Sequence, residues 1–172
     1  MGKWWLISVI GGLTVAAGIV AAEEKIPHPD IPSGEGSRVE AVMDLARLGQ
    51  ILKAEVPEVR GRDGFWEMVI EGVPVTVIAD QAHNRMRVMA PVANADQVDA
   101  TVLHRMLEAN FSSAIDARYA IFKDVVWAAF LHPLDSLTAR ELLSALNQVA
   151  TLVKNTGTTY SSSGLIFGGS RY

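Results

Sequence analysis

A chain of 172 residues suits one domain with appendages, and 49% hydrophobic against 20% charged residues is enough apolar side chain to close a core, which excludes disorder of the whole chain. The formal net charge of −4, with no basic stripe, removes the electrostatic ground for a nucleic-acid partner. The absence of cysteine excludes disulfides, thiolate metal sites, a thiol nucleophile and a lipid-anchored N-terminal cysteine.

Met1–Lys3 is short and positive, and Trp4–Ala22 then runs without a charge until Glu23 and Glu24. Val20-Ala21-Ala22 carries the compact residues that signal peptidase reads, so residues 1–22 are expected to be a cleaved export signal. The alternative is an inner-membrane anchor formed by residues 4–22, since the run approaches the ~20 apolar residues that span a bilayer and Trp4 and Trp5 beside Lys3 suit its interface. Both place the domain outside the cytoplasm, periplasmic or secreted in the first case and membrane-tethered in the second. Residues 23–37, with Pro27, Pro29, Pro32, Gly34 and Gly36, read as an extended, flexible linker.

The domain is expected over residues 38–157. Ser37 and Glu40 have capping-box spacing, and Val39, Val42, Leu45, Ala46, Leu48 and Leu52 recur at helical spacing, which predicts a first helix over 38–54. Three strands follow. Residues 64–71 alternate Trp66, Met68 and Ile70 against Glu67, Val69 and Glu71, with a tight turn at Glu71-Gly72. Residues 73–79 form the second, with Pro74 near its start, and residues 85–91 the third, with Met86, Val88 and Ala90 inward and Arg85, Arg87 and Met89 outward. A second helix is expected over 97–110, capped by Asp96, with Val98, Val102, Met106 and Leu107 as its stripe. Two strands over 117–123 and 125–131 join at Lys123-Asp124. A third helix starts near Ser136 or Thr138 and carries Leu142, Leu143, Leu146, Val149, Ala150 and Val153 to Asn155, where Gly157 stops it. Residues 158–172, rich in Gly and Ser, read as a flexible tail in which Leu165, Ile166 and Phe167 are free to dock. The order is α-β-β-β-α-β-β-α, an α+β domain with a five-stranded antiparallel sheet packed with three helices.

The ordered run RMRVMAPV, HRMLEANF, ARYAIFKDVVWAAFLHPL and LTARELLSALNQVA resembles the type III secretion chaperone-like fold, and within it the YbjN-like sensory-domain group, over about residues 38–157. The resemblance implies a curved antiparallel sheet flanked by three helices, often dimeric, that binds a protein segment or regulates, without catalysis. An export signal ahead of such a domain departs from chaperones that work in the cytoplasm.

Side chains able to do chemistry are scattered. His28, His83, His104 and His132 show no metal-pair spacing. Ser161–Ser163 lack a nucleophile elbow, and Gly61-Arg62-Asp63-Gly64 lacks the Lys-Ser/Thr of a phosphate loop and reads as a turn. Glu67 and Glu71 suit solubility on an exposed strand better than glycoside hydrolysis. Asn110-Phe111-Ser112 is a formal glycosylation sequon, read here as a helix end. No catalytic residue, cofactor or metal is expected, and a hydrolase would need a pair these residues do not assemble. The last strand is apolar on both faces, Val125, Trp127, Ala129 and Leu131 against Val126, Ala128 and Phe130. Such a strand must be covered on both faces, by its own helices, by the tail, by a second copy or by a bound segment. The expected protein-binding residues are Val126, Ala128 and Phe130 of this strand with Arg85, Arg87 and Met89, and the expected partner is a protein or peptide segment, with a homodimer as a further possibility.

Overall fold

A computed structural model of the chain describes residues 41–165. The elements are α1 (Leu45–Glu55), β1 (Arg60–Arg62), β2 (Phe65–Ile70), β3 (Val73–Asp80), β4 (Arg85–Asn94), α2 (Ala100–Ser112), β5 (Arg118–Phe122), β6 (Val125–His132) and α3 (Ala139–Lys154). One antiparallel sheet of six strands, not five, runs in the order β1-β2-β3-β4-β6-β5. The extra strand is β1, three exposed residues with no apolar alternation to reveal them.

Hairpin chemistry sets the order. Asp63-Gly64, Glu71-Gly72 and Lys123-Asp124 all have positive φ, the backbone that two-residue hairpins require because its twist matches that of the strands. The first joins β1 to β2 and the last joins β5 to β6. Gly64 is obligatory as well as convenient, because a Cβ there would stand 2.4 Å from the Ala79 carbonyl oxygen. Pairing of β3 with β4 runs from Asp80↔Arg85 to Thr76↔Met89. Extending it would bring Pro74 opposite Pro91, two residues with no N–H to donate. There β4 instead takes a register shift between Pro91 and Ala93 and continues along β6 alone.

Helix ends follow their caps. α1 begins at Leu45 because Asp44 accepts a hydrogen bond from the Arg47 N–H at 2.7 Å; Ser37 and Glu40, and the expected start at 38, lie outside the described residues, while residues 41–44 are not helical. α2 is capped by Asp99, which accepts from the N–H groups of Thr101 and Val102; Asp96, the expected cap, sits in a single 3-10 turn before it. α2 also runs two residues beyond its expected end. α3 carries a full capping box, Thr138 with Glu141, and those hydrogen bonds hold the Glu141 carboxyl below its ordinary range.

α3 lies across β2, β3, β4 and β6, α2 runs against β5, and α1 packs near Trp66. The core between helices and sheet holds Leu48, Leu52, Trp66, Val75, Val77, Val88, Val126, Leu142, Leu146, Val149 and Leu152, all essentially inaccessible. Buried Gln148 of α3 is satisfied on every side: its carbonyl accepts from the Asp116 and Ala117 N–H groups, and its amide donates to Asp116 and Ser144. The chain after α3 is hydrogen-bonded to the domain as far as Ser162. Ser162 N–H donates to the Ser113 carbonyl, the Ser113 hydroxyl donates to the Tyr160 carbonyl, and the Tyr160 ring meets Tyr119 edge-on at 6.4 Å. Ile166 and Phe167 lie outside the described residues.

Candidate functional site

The two faces of the sheet differ. Register sorts them: Trp66, Val77, Val88 and Phe130 form one row across four strands, and Tyr119, Ala128 and Ala90 another, all buried toward the helices. The rows on the opposite face are Phe65–Ile78–Arg87–Leu131, Glu67–Thr76–Met89–Ala129–Arg118 and Pro91–Trp127–Ala120.

This corrects the expected site. Val126, Ala128 and Phe130 are not on an open surface: they are 1%, 0% and 6% exposed and face the helices. The reason is parity. A strand apolar on both sides gives no alternation to orient it, and here β4 sets its orientation: Val88 opposite Phe130 and Ala90 opposite Ala128 draw those residues inward. The outward side of β6 is Val125, Trp127, Ala129 and Leu131. Arg85, Arg87 and Met89 do lie on the outward face, where sequence alternation puts them. Trp127, Leu131, Ala120 and Phe122 are missing from the expected binding residues, and only the β4–β6 and β5–β6 registers together bring them beside Arg87 and Met89.

Among the described residues the outward face carries an apolar surface. Leu131 is 57% exposed, Phe122 61%, Phe65 46% and Ile78 39%. A cleft of about 190 Å3 is lined by Arg87, Met89, Ala120, Phe122, Trp127, Ala129 and Leu131. A second, of about 400 Å3, adjoins it at Arg87 and Leu131 and reaches Ile78, Asp80 and Arg85. The Trp127 indole N–H donates to the Phe122 carbonyl at 3.2 Å, which fixes the ring in the cleft wall. Lys123 Nζ stands 5.3 Å over the Phe122 ring, a cation–π contact at the far end. Arg85 donates to the Asn84 carbonyl, and Arg118 turns back to the carbonyls of Ala114, Ile115 and Ala117. The Arg87 guanidinium has no hydrogen-bond or ion-pair partner among the described residues.

The edge of β5 is capped at Tyr119. Asn110 of α2 accepts from the Tyr119 N–H at 2.7 Å and donates to the Tyr119 carbonyl at 3.1 Å. Its side-chain amide thus takes the place of a neighbouring strand. The sequon asparagine is part-buried and engaged on both atoms.

A second apolar patch lies on α2, where Leu107, expected in the buried stripe, is 67% exposed and Phe111, one turn on, is 88% exposed.

Asp116, Arg118, His132 and Glu141 line one open cleft of about 330 Å3 with Ser144 and Gln148, and the other titratable groups among the described residues are dispersed. His83 Nδ1 meets Asp80 at 2.7 Å on an exposed turn, and that hydrogen bond lowers the Asp80 carboxyl. His104 lies 3.5 Å from Glu108 on α2, His132 Nδ1 contacts the Pro133 carbonyl, and His28 is outside the described residues. Burial pushes the Tyr119 hydroxyl up to about 12; it bonds the Leu152 carbonyl and Thr156 inside the core. Among the described residues no group of three or more His, Asp or Glu side chains is disposed to hold a metal ion.

No family model and no curated protein matches the sequence. Solved structures match its fold. The chain is similar to one in the HopA1–SchA chaperone–effector complex, with a TM-score of 0.51 and 14% identity, covering 63% of this chain and 88% of that one. It is similar to one in the ExsC–ExsE complex, at 0.50 and 12%, covering 64% and 90%. It is also similar to one in the complex of the Yersinia pestis type III secretion chaperone SycH with a stable fragment of YscM2, at 0.50 and 16%, covering 66% and 98%. At these identities the likeness is one of fold: an α+β arrangement of three helices and an antiparallel sheet.

Proposed function

We propose that this chain is an exported, non-catalytic binding module that holds a protein segment against the outward face of its sheet. The observation that carries the reading is the apolar surface around Trp127, Leu131 and Phe122, which no helix among the described residues covers, on a sheet whose other face is covered by helices except at Ile121. Support comes from the fold it shares with chains in chaperone–effector complexes. Export, periplasmic or beyond, rests on the uncharged run Trp4–Ala22, and kinship with YbjN-like sensory domains rests on the sequence run from Arg85 to Gly157.

The test is capture from envelope extract by the full chain and by a Phe122→Asp, Leu131→Asp double variant with an unchanged melting profile. A partner held by the first and lost by the second supports the reading. Capture that ignores both substitutions overturns it.

Two extensions have observations of their own. A homodimer is favoured by Leu107 and Phe111 on one face of α2; light scattering on the full chain and on Phe111→Asp tests it, and a monomer at high concentration removes it. A membrane-tethered sensory role is favoured by the length of the N-terminal run. Finding Glu23 as the mature N-terminus removes that one.

A further inference from the structure

Resting on the reading above, we infer that the segment taken by the outward face is an acidic amphipathic helix whose carboxylates meet Arg87 and Lys123 at the two ends of the Trp127 cleft. Three observations point to it.

The first is the mode of docking. An extended segment gains most of its affinity by adding to a sheet edge. On β5 that route is cut short, because Asn110 already occupies the outward N–H and carbonyl of Tyr119 and leaves only the last residues of the strand open. The other edge, β1, is three exposed residues carrying Arg60 and Arg62, short and charged as protected edges are. A segment lying on the face itself finds no ladder to join, so it must satisfy its own backbone, as a helix does. The same sheet shows this solution on its other side, where α3 closes it with a stripe of Leu142, Ala145, Leu146 and Val149.

The second is charge. Arg87 sits between Ile78 and Leu131 in an otherwise apolar row, and it is unpartnered among the described residues. Lys123 lies over Phe122 at the other end of the cleft. Of the carboxylates near Arg87, Asp80 is engaged by His83 and Glu67 lies in the next row, beyond Thr76; Asp124 follows Lys123 in the turn, and no ion pair joins the two. A guanidinium flanked by apolar side chains favours a partner bringing both a carboxylate and apolar groups.

The third is length. Leu131, opposite Arg87, and Val125, opposite Phe122, are six residues apart on β6, which is about 20 Å. A helix covers about 20 Å in roughly 13 residues.

The test uses four labelled synthetic 16-residue peptides and fluorescence anisotropy with the full chain at low salt. Three share one Leu/Ala stripe and differ only in the polar face: all Glu, all Gln or all Lys. The fourth is the Glu peptide with a central proline. The Glu peptide is expected to bind about five- to tenfold tighter than the Gln peptide, the Lys peptide weakest, and added salt to erase the difference. The proline peptide should lose binding. Either Arg87→Gln or Lys123→Gln should reduce the preference for Glu, and the two together should remove it. Equal binding of the Glu and Gln peptides, or a preference that survives the double substitution, overturns the charge assignment and leaves the face reading intact. Binding of the proline peptide as tight as that of the Glu peptide, or tighter, overturns the helix. Binding by none of the four removes both this inference and the face reading. A full chain that is dimeric and becomes monomeric on Leu131→Asp assigns the face to a second copy, and overturns the inference.

Discussion

Replacing Asn110 by Ala isolates one device in the fold. The substitution deletes two hydrogen bonds, to Tyr119 N–H at 2.7 Å and from its amide to the Tyr119 carbonyl at 3.1 Å. Each is worth about 1 kcal/mol net, and more where the abandoned group stays out of water. Opposing this, alanine is the better helix former by about 0.6 kcal/mol at an interior helical position. The net loss is then about 1.5 kcal/mol, or roughly 6 °C in melting temperature for a domain of this size. Circular-dichroism melting of the full chain reads the stability, and hydrogen exchange at the Tyr119 amide reads the edge. That amide should exchange faster, and the freed edge should add concentration-dependent association. Asn110→Asp, which keeps the acceptor for the N–H and sets a carboxylate against the carbonyl, should fall no better than Asn110→Ala. A variant that melts within about 2 °C of the parent with the Tyr119 amide still protected would refute the claim that this side chain closes the sheet.

Two neighbours on β6 test the orientation of that strand: Phe130→Ala should cost about 3–5 kcal/mol, a core cavity, while Leu131→Ala, 57% exposed, should stay within about 1 kcal/mol, and thermal melts of both decide it. Gly64→Ala, with φ of +95° and a Cβ clash at 2.4 Å against Ala79, should cost more than about 2 kcal/mol, whereas Gly72→Ala, where a Cβ meets nothing within 4 Å, should cost about 1 kcal/mol from its left-handed backbone alone. The Tyr119 phenol, raised to about 12 by burial, favours the folded state wherever it is neutral; its contribution is complete below its ordinary value of 10.0 and is lost as pH rises toward 12, so phenolate absorbance should show one late tyrosine leaving together with the fold. Glu141 is depressed by its capping bonds, so its contribution is present above the ordinary carboxylate value and is lost as pH falls through the lowered one; Glu141→Gln should flatten that acid limb of the stability curve.

Much of the local order is legible from residues alone because it depends on neighbours in the chain. Thr138 and Glu141 are a capping box wherever a helix follows them, Glu71-Gly72 and Lys123-Asp124 turn strands back because of the backbone they accept, and the alternation in residues 65–70 orients β2 without help. Where several residues compete for one role, only the fold selects. Asp44 and Asp99 cap helices that Ser37 and Asp96 were equally able to start. β1, too short and polar for a pattern, exists because Asp63-Gly64 returns it against β2.

Elements, their order and their turns are therefore properties of short stretches, since propensity, capping and hairpin backbone act over a few residues. The binding face is a property of register. β6 is apolar on both sides, so nothing within it distinguishes Phe130 from Leu131. That choice was made earlier in the chain, by β4, whose Val88 and Ala90 face the helices and draw Phe130 and Ala128 with them. Side chains on a pleated sheet alternate with a period of two, so one pairing contact settles a whole strand, and only the tertiary structure supplies that contact.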